Sequence, residues 1–255
     1  MRSIQKNQYR PVFTPRFHLS DGQMVGIEVQ IKSGQKVLPA LETFRLILSG
    51  KNRDLLNEIN AHLSKWCEKA EKNLYLSWEL SSETNPVDLN LFLDELSMAL
   101  PLQQLEIVLD ADDLKGSETL NKVIRLFGFL PDKHIRRGLF HSHPLEFTAD
   151  EICGHIDLFK LKRGVIMEMK DDIIIASKGY SFIESLNIEK IDIVADELYS
   201  KADVTSAIMM GIQYGQGYFL SSNQAPQKIV KPLKKRPNND FYERRFDCFE
   251  SLGWS

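Results

Sequence analysis

The residues best suited to chemistry are scattered along this chain. His141-Ser142-His143 sets two imidazoles at alternating spacing with Glu146 close behind, residue types that ligate zinc. Such a site needs a further ligand that the segment does not nominate, so these histidines are expected to be ordinary exposed loop residues. Asp110, Asp112 and Asp113 concentrate negative charge without the glycine and regular spacing of a calcium loop. A helix entry or a solvated segment is expected there. Cys67, Cys153 and Cys248 are far apart and odd in number, which argues against a disulfide framework or a cysteine-ligated zinc and for a reducing compartment. Glu28 and Gln30 share one face of an alternating segment whose other face holds Val25, Ile27, Val29 and Ile31. In a barrel that polar face lines the mouth.

Length and composition limit what these residues can belong to. A chain of 255 residues, 43% hydrophobic, is long enough for one large core. Its net charge of −3, from 32 basic and 35 acidic residues, favours neither direct DNA binding nor an anionic membrane. The N-terminus has no apolar core of a signal peptide, and no later run approaches the roughly 18 apolar residues of a membrane span. A cytoplasmic protein is expected.

The elements that must carry these residues follow from periodicity. Residues 13–19 and 24–32 are extended, and Ser20-Asp21-Gly22 between them signals a turn, so they form an antiparallel pair. The span 54–72 carries Leu56, Ile59, Leu63, Trp66 and Ala70 at helical spacing, and a strand follows at 73–79. Asn85 as cap and Pro86 at the first helical position open a helix with Leu89, Phe92, Leu93 and Leu96 inward, before a strand at 104–110. Ser117 reads as the cap of a helix that turns Leu120, Val123, Ile124 and Phe127 inward. Residues 135–140 read as a short strand, 140–150 as irregular and 156–161 as a strand. The span 165–186 is mostly helix with a break at Lys178-Gly179-Tyr180. The closing stretch 190–220 reads strand, loop, helix, strand: Ile191, Ile193 and Val194 are β-branched, Val204, Ala207, Ile208 and Gly211 recur at helical spacing, and Tyr214-Gly215-Gln216-Gly217-Tyr218 is extended again. About eight strands separated by helices in about 250 residues is the pattern of an α/β barrel.

One domain is expected over 1–226, with 227–255 as an extension. Lys228, Lys231, Lys234, Lys235 and Arg236 precede Phe241, Tyr242, Phe246, Phe249 and Trp254 in that extension. It reads either as a solvated linker with a short packed helix or as a docking segment whose aromatics contact a partner.

Ala195-Asp196-Glu197-Leu198-Tyr199 and Gly215-Gln216-Gly217-Tyr218-Phe219 resemble the end of an EAL domain, the cyclic-di-GMP phosphodiesterase family, which usually reads AEGVE and then QGYxF. Gly26-Ile27-Glu28-Val29-Gln30 is similar to the segment that names the family, and Ile156-Asp157-Leu158-Phe159-Lys160-Leu161-Lys162 to its VDxxKID. The resemblance spans roughly residues 9–226. It implies an α/β fold, an EAL-type modified TIM (β/α)8 barrel with one antiparallel strand near the N-terminus. In active members two divalent metals, held by carboxylates at the C-terminal strand ends, activate water and stabilise charge on the phosphodiester.

Against that pattern Glu28, Lys160 and Gln216 are retained. Glu79, in Leu76-Ser77-Trp78-Glu79-Leu80-Ser81, stands in place of an asparagine, and Lys32 in place of a phosphate-gripping arginine, without its bidentate fork. Leu105-Glu106-Ile107-Val108-Leu109 overlies the family's LEITE with Leu109 at its last glutamate. Asp110 follows but points to the opposite strand face. The paired aspartates fall near Leu139 and Phe140, and no aspartate occurs between Asp132 and Asp150. Lys162 replaces the aspartate of VDxxKID, and Tyr199 the second, metal-binding glutamate of AEGVE. One glutamate with one neighbour cannot hold two magnesium ions. No catalytic residue, metal or cofactor is therefore expected, and Glu28, Glu79, Lys160 and Gln216 are read as vestigial ligand-site positions. Each also has a plain reading: Lys160 facing solvent or paired with a carboxylate, Glu28 as a hydrogen-bonded rim residue, Gln216 satisfying backbone groups.

In size, isolation and pattern of loss the chain is similar to the YdiV-like flagellar anti-activators, degenerate EAL proteins that bind FlhD of the master regulator FlhDC and keep it from DNA. That resemblance implies repression of flagellar gene expression and motility through protein-protein binding. The alternatives are a receptor that binds cyclic-di-GMP without cleaving it, and a residual phosphodiesterase using Glu79 and Asp110.

Overall fold

Strand β1 (Tyr9–His18) turns back through Gly22, whose φ of 70° suits the tight turn, into β2 (Met24–Ser33). In the computed structural model, which describes residues 9–220 except 51, 71–72, 102–103, 129, 131–133 and 142–147, this hairpin starts a closed barrel. After the two-residue β3 (Lys36–Val37) come β4 (Tyr75–Ser81), β5 (Leu105–Asp110), β6 (Arg136–His141), β7 (Leu158–Leu161), β8 (Asp192–Ala195) and β9 (Tyr214–Gln216). The sheet order is β1-β9-β8-β7-β6-β5-β4-β2, closed by the β1–β2 pairing, with β3 appended to β2. Strand β1 is antiparallel to both neighbours, and the other barrel strands run parallel to one another. This is the α/β barrel with one antiparallel strand that the sequence predicts.

Eight helices cover the barrel among the described residues: α1 (Ala40–Leu48), α2 (Arg53–Ala70), α3 (Pro86–Ser97), α4 (Ser117–Phe127), α5 (Ala149–Ile152), α6 (Arg163–Asp171), α7 (Ile173–Ile188) and α8 (Lys201–Met209). Helix α2 lays its apolar face on β1, where Trp66 meets Phe13 edge to face at 4.7 Å. Asn85 caps α3 by accepting from Asp88 N at 2.9 Å.

Four local expectations change. The cap of α4 is Gly116, at φ 44°, and Ser117 is already helical. The face that α4 buries is set by Thr119, Val123, Leu126 and Phe127, which leaves Ile124 outward. The break predicted at 178–180 lies at Asp172, whose carboxylate accepts from Ile174 N and Ile175 N and so starts α7. Gly179 sits inside α7 because a Cβ there would lie 2.2 Å from Met169 Cε, so the glycine admits the neighbouring helix rather than ending its own. Finally, the irregular span ends in a short helix, α5, with a Thr148–Glu151 capping box.

Strand alternation sends Ile27, Val29, Ile31, Leu105, Ile107 and Leu109 outward into the core beneath the helices. The inward residues form layers. Arg16, Glu106, Arg136 and Asp192 lie at the end where the parallel strands begin, and Val108, Leu158 and Val194 form an apolar middle with Tyr214 packed on it. Glu28, Glu79, Asp110, Phe140, Lys160 and Gln216 stand at the end where those strands finish. The predicted extension, 227–255, lies outside the described residues.

Candidate functional site

At the C-terminal mouth of the barrel three of the predicted residues meet. Lys160 rises from β7 and sets Nζ 2.6 Å from Glu28 Oε2, and Gln216 Nε2 donates to the same oxygen at 2.7 Å. Gln30 Nε2 donates to the other carboxylate oxygen of Glu28 at 3.1 Å. Glu79 Oε1 lies 3.8 Å from Lys160 Nζ, so the fourth predicted residue faces the same ammonium. These contacts bridge 132 residues from Glu28 to Lys160 and 188 from Glu28 to Gln216, distances that only closure of the barrel removes.

Two members of the group lie outside the predicted set, although the residual-enzyme alternative named Asp110. Asp196, directly after β8, places Oδ2 3.0 Å from Lys160 Nζ. Asp110 ends β5 on the inward face, opposite Phe140 and Ser81, while Leu109 is fully buried under the helices. The expectation that Leu109 marks an emptied ligand position, and that Asp110 faces away from the mouth, is therefore corrected: Glu106, Val108 and Asp110 share the inward face. Leu139 is outward in the same way, and among the described residues the apolar replacement at the mouth is Phe140, with Lys160 and Lys162 over its ring at 5.1 and 4.7 Å. Tyr199 is largely exposed on the rim, while Asp196 three residues earlier turns inward. Position supplies the signal that would have found both aspartates, since each closes a parallel strand at the catalytic end of such barrels.

The acidic loop leads into α4 with Asp113 exposed, as expected, and hydrogen bonds and an ion pair tie it down. Asp112 N donates to Asp110 Oδ1, Ser82 Oγ donates to Asp113 Oδ2 at 2.6 Å, and Lys162 pairs with Asp112. His141 is not an exposed loop residue: it closes β6, is fully buried, and meets Thr119 Oγ1 at 3.3 Å on the outer side of the barrel. His143 and Glu146 lie outside the described residues.

Charge at the mouth is uneven. Burial pushes the Glu79 carboxyl up to about 8 against the pull of Lys160, with Glu28, Asp110 and Asp196 adding repulsion. Burial also raises Asp110, opposed by Lys162. For Lys160 burial favours the neutral amine, but Asp196, Glu28 and Glu79 outweigh it and hold its pKa well above the usual lysine value. Gln216 Oε1 and Asp112 Oδ1 are buried acceptors without a hydrogen-bond partner among the described residues.

The opposite end of the barrel is a separate ionic layer. Arg16 clamps Glu106 with contacts of 2.5 and 3.0 Å, and Arg136 bridges Glu106 to Asp192. A cavity of about 180 Å³ opens there, lined by Arg16, Tyr75, Arg136, Asp192 and Tyr214 among others. Its strands begin rather than end at that face, which in these barrels serves stability.

The sequence matches no protein-family model and no curated protein. Solved structures do match. The EAL enzyme Bd1971 in its cGMP-bound form aligns with a TM-score of 0.68 at 13% identity over 91% of this chain, which spans 66% of that one. The PaMucR phosphodiesterase in complex with c-di-GMP aligns at 0.65 and 13% identity, over 88% of this chain and 95% of that one. The FimX EAL domain from Pseudomonas aeruginosa bound to c-di-GMP aligns at 0.57 and 20% identity, over 87% and 93%. The fold is the EAL-domain barrel.

An EAL barrel implies divalent metals at its mouth, and the side chains present here do not suit them. The ammonium of Lys160 already stands among Glu28, Asp196 and Glu79, and the ring of Phe140 fills the next inward position. Among the described residues no group of three or more His, Cys, Asp or Glu side chains is arranged to hold an ion. What the mouth can do is hold a fixed, largely neutralised polar surface. The loop that carries Asp196 is locked to the last strand by Leu198 N donating to Gln216 O and Phe219 N donating to Leu198 O. Beyond the mouth, no described helix is long and apolar enough to cross a membrane, and Cys67 and Cys153 are free thiols.

Proposed function

We propose that this protein is a non-hydrolysing EAL-fold regulator that acts by binding another protein. The observation that carries the reading is the loss of carboxylates at the mouth: the ring of Phe140 stands at an inward strand end and Tyr199 on the rim, where the family pattern has metal-binding acids. Selection on such a chain then falls on its outer surface. By its resemblance to the YdiV-like anti-activators, the partner is FlhD of FlhDC, and the outcome is repression of flagellar genes and motility. Fold alone does not fix a partner, so the assignment stands on experiment. Purified protein is expected to retain FlhDC in a pull-down and its overexpression to reduce swimming, with no cyclic-di-GMP turnover in manganese. Failure to retain FlhDC together with unchanged motility, or turnover abolished by Glu28→Ala, removes this reading.

A second reading is a receptor that binds cyclic-di-GMP without cleaving it. Two observations favour it: structures matching this barrel, PaMucR and FimX, hold c-di-GMP, and Gln216 Oε1 is a buried acceptor with no hydrogen-bond partner among the described residues. Calorimetry with the dinucleotide separates the two, since absence of heat at high micromolar ligand eliminates the receptor.

A further inference from the structure

Side chains with hydrogen-bond donors to spare gather around one cavity, the space of about 180 Å³ at the end of the barrel opposite the mouth. Arg16 lines it with a side chain 2% exposed. Its guanidinium gives Nη1 and Nη2 to Glu106, and its Nε, on the other edge, has no hydrogen-bond partner among the described residues. The Tyr75 and Tyr214 hydroxyls and the Asn73 amide border the same space and make no hydrogen bond among those residues. Burial and the neighbouring Asp192 carboxylate raise the Tyr214 phenol, so it keeps its proton and is a donor. The carboxylates nearby are already engaged, Glu106 by Arg16 and Arg136, and Asp192 by Arg136. A buried donor left without an acceptor is costly, and a ligand that brings the acceptor recovers that cost.

We propose that this cavity is a binding site for a small monocarboxylate, held by the unused edge of Arg16, the Tyr75 and Tyr214 hydroxyls and the Asn73 amide. Shape supports a carboxylate, because the edge of a guanidinium that carries Nε–H presents two parallel N–H groups to two oxygens of one acid. Charge limits the ligand to one negative unit. Arg16 and Arg136 are balanced by Glu106 and Asp192, so a phosphate dianion would bring a second, uncompensated charge into a partly closed space. Size excludes a cyclic dinucleotide, since pockets for drug-sized ligands run to about 300–1,000 Å³ and this one is smaller. The walls are already in place: Arg136 lies 4.6 Å over the Tyr75 ring, and Tyr214 packs edge to face on His18. The inference goes beyond the reading of the mouth and does not depend on it, because the two places lie at opposite ends of the barrel.

Thermal unfolding of the full-length protein in sodium acetate or sodium benzoate, each at about 10 mM, tests it against sodium chloride and sodium phosphate at equal ionic strength. Saturation-transfer NMR of the carboxylate is the direct readout of binding. A saturable gain of about 3 °C or more in Tm is expected with at least one of the two carboxylates, with little in phosphate and none in chloride. Two variants locate the gain, each compared with its own chloride baseline. Tyr75→Phe/Tyr214→Phe keeps both rings and removes the hydroxyls, and Asn73→Asp, at an exposed position ahead of β4, sets a negative charge against the ligand. Both are expected to abolish the saturable gain and the NMR signal, and should the double variant not fold, Asn73→Asp decides alone. The inference is overturned by no saturable gain with either carboxylate, by a gain that survives in Asn73→Asp, or by phosphate acting as strongly as the carboxylates.

Discussion

The backbone of Gly217 passes so close to Leu198 that a Cβ on the glycine would lie 2.3 Å from Leu198 N and 2.7 Å from its carbonyl oxygen. Its φ of 136° is outside what other residues adopt readily. This contact holds the Asp196 loop over the barrel and aims its carboxylate at Lys160. Gly217→Ala is expected to cost at least about 2 kcal/mol in urea denaturation and to loosen the rim. One residue earlier in the facing loop, Glu197 sits at φ 58° where the family pattern AEGVE has glycine. Glu197→Gly is expected to stabilise the fold by about 0.5–1 kcal/mol, because relief of left-handed strain exceeds the added freedom of the unfolded chain.

The pH dependence of stability should report on Glu79. Its folded pKa of about 8 lies above the ordinary value of 4.5, so the folded state holds a proton that the unfolded state has released. Stability is therefore highest below the unfolded value and falls as pH rises from about 4.5 towards 8, flattening above. Glu79→Gln removes this dependence, and its advantage over the wild type should grow with pH to about 1–3 kcal/mol at pH 8.5. Urea midpoints at several pH values check both the sign and the window.

At the other end of the barrel the Arg16–Glu106 pair is fully buried, and Arg16 holds the Glu106 carboxyl below its usual range despite the burial that would raise it. Glu106→Ala leaves two guanidiniums without their shared partner and is expected to cost about 3–5 kcal/mol. The double variant Arg16→Met/Glu106→Leu should recover a large part of that loss, measured as a denaturation midpoint above that of the single variant.

Helices α6 and α7 meet where Met169 packs against Gly179. Gly179→Ala is expected to cost about 1–3 kcal/mol by overpacking, since Met169 must move aside. In the Met169→Ala background the same substitution should cost less by at least about 0.5 kcal/mol, a coupling that a double-mutant cycle measures directly.

Much of this architecture was legible in the sequence because it depends on local period and local stereochemistry. The hairpin at Gly22, the apolar face of α2 around Leu56, Ile59, Leu63 and Trp66, and the cap at Asn85 are each decided within a few residues of themselves. Glu28, Lys160 and Gln216 could be singled out for a related reason: each lies in a short segment whose neighbours carry the resemblance.

What only the tertiary structure decided is which face each strand turns inward and who meets whom there. Alternation along Leu105–Asp110 allows either face to look into the lumen, and the pairing of Asp110 with Phe140 and Ser81 selects the one with Glu106, Val108 and Asp110. That choice moved Leu109 out of the site and brought Asp110 into it. Asp196 joined Lys160, and Tyr199 stayed on the rim, through the path of a loop pinned from across the sheet by Gly217. Barrel closure is a long-range condition, satisfied by all its strands at once, so the sequence determined the kinds of elements and the tertiary structure determined the cation at their centre.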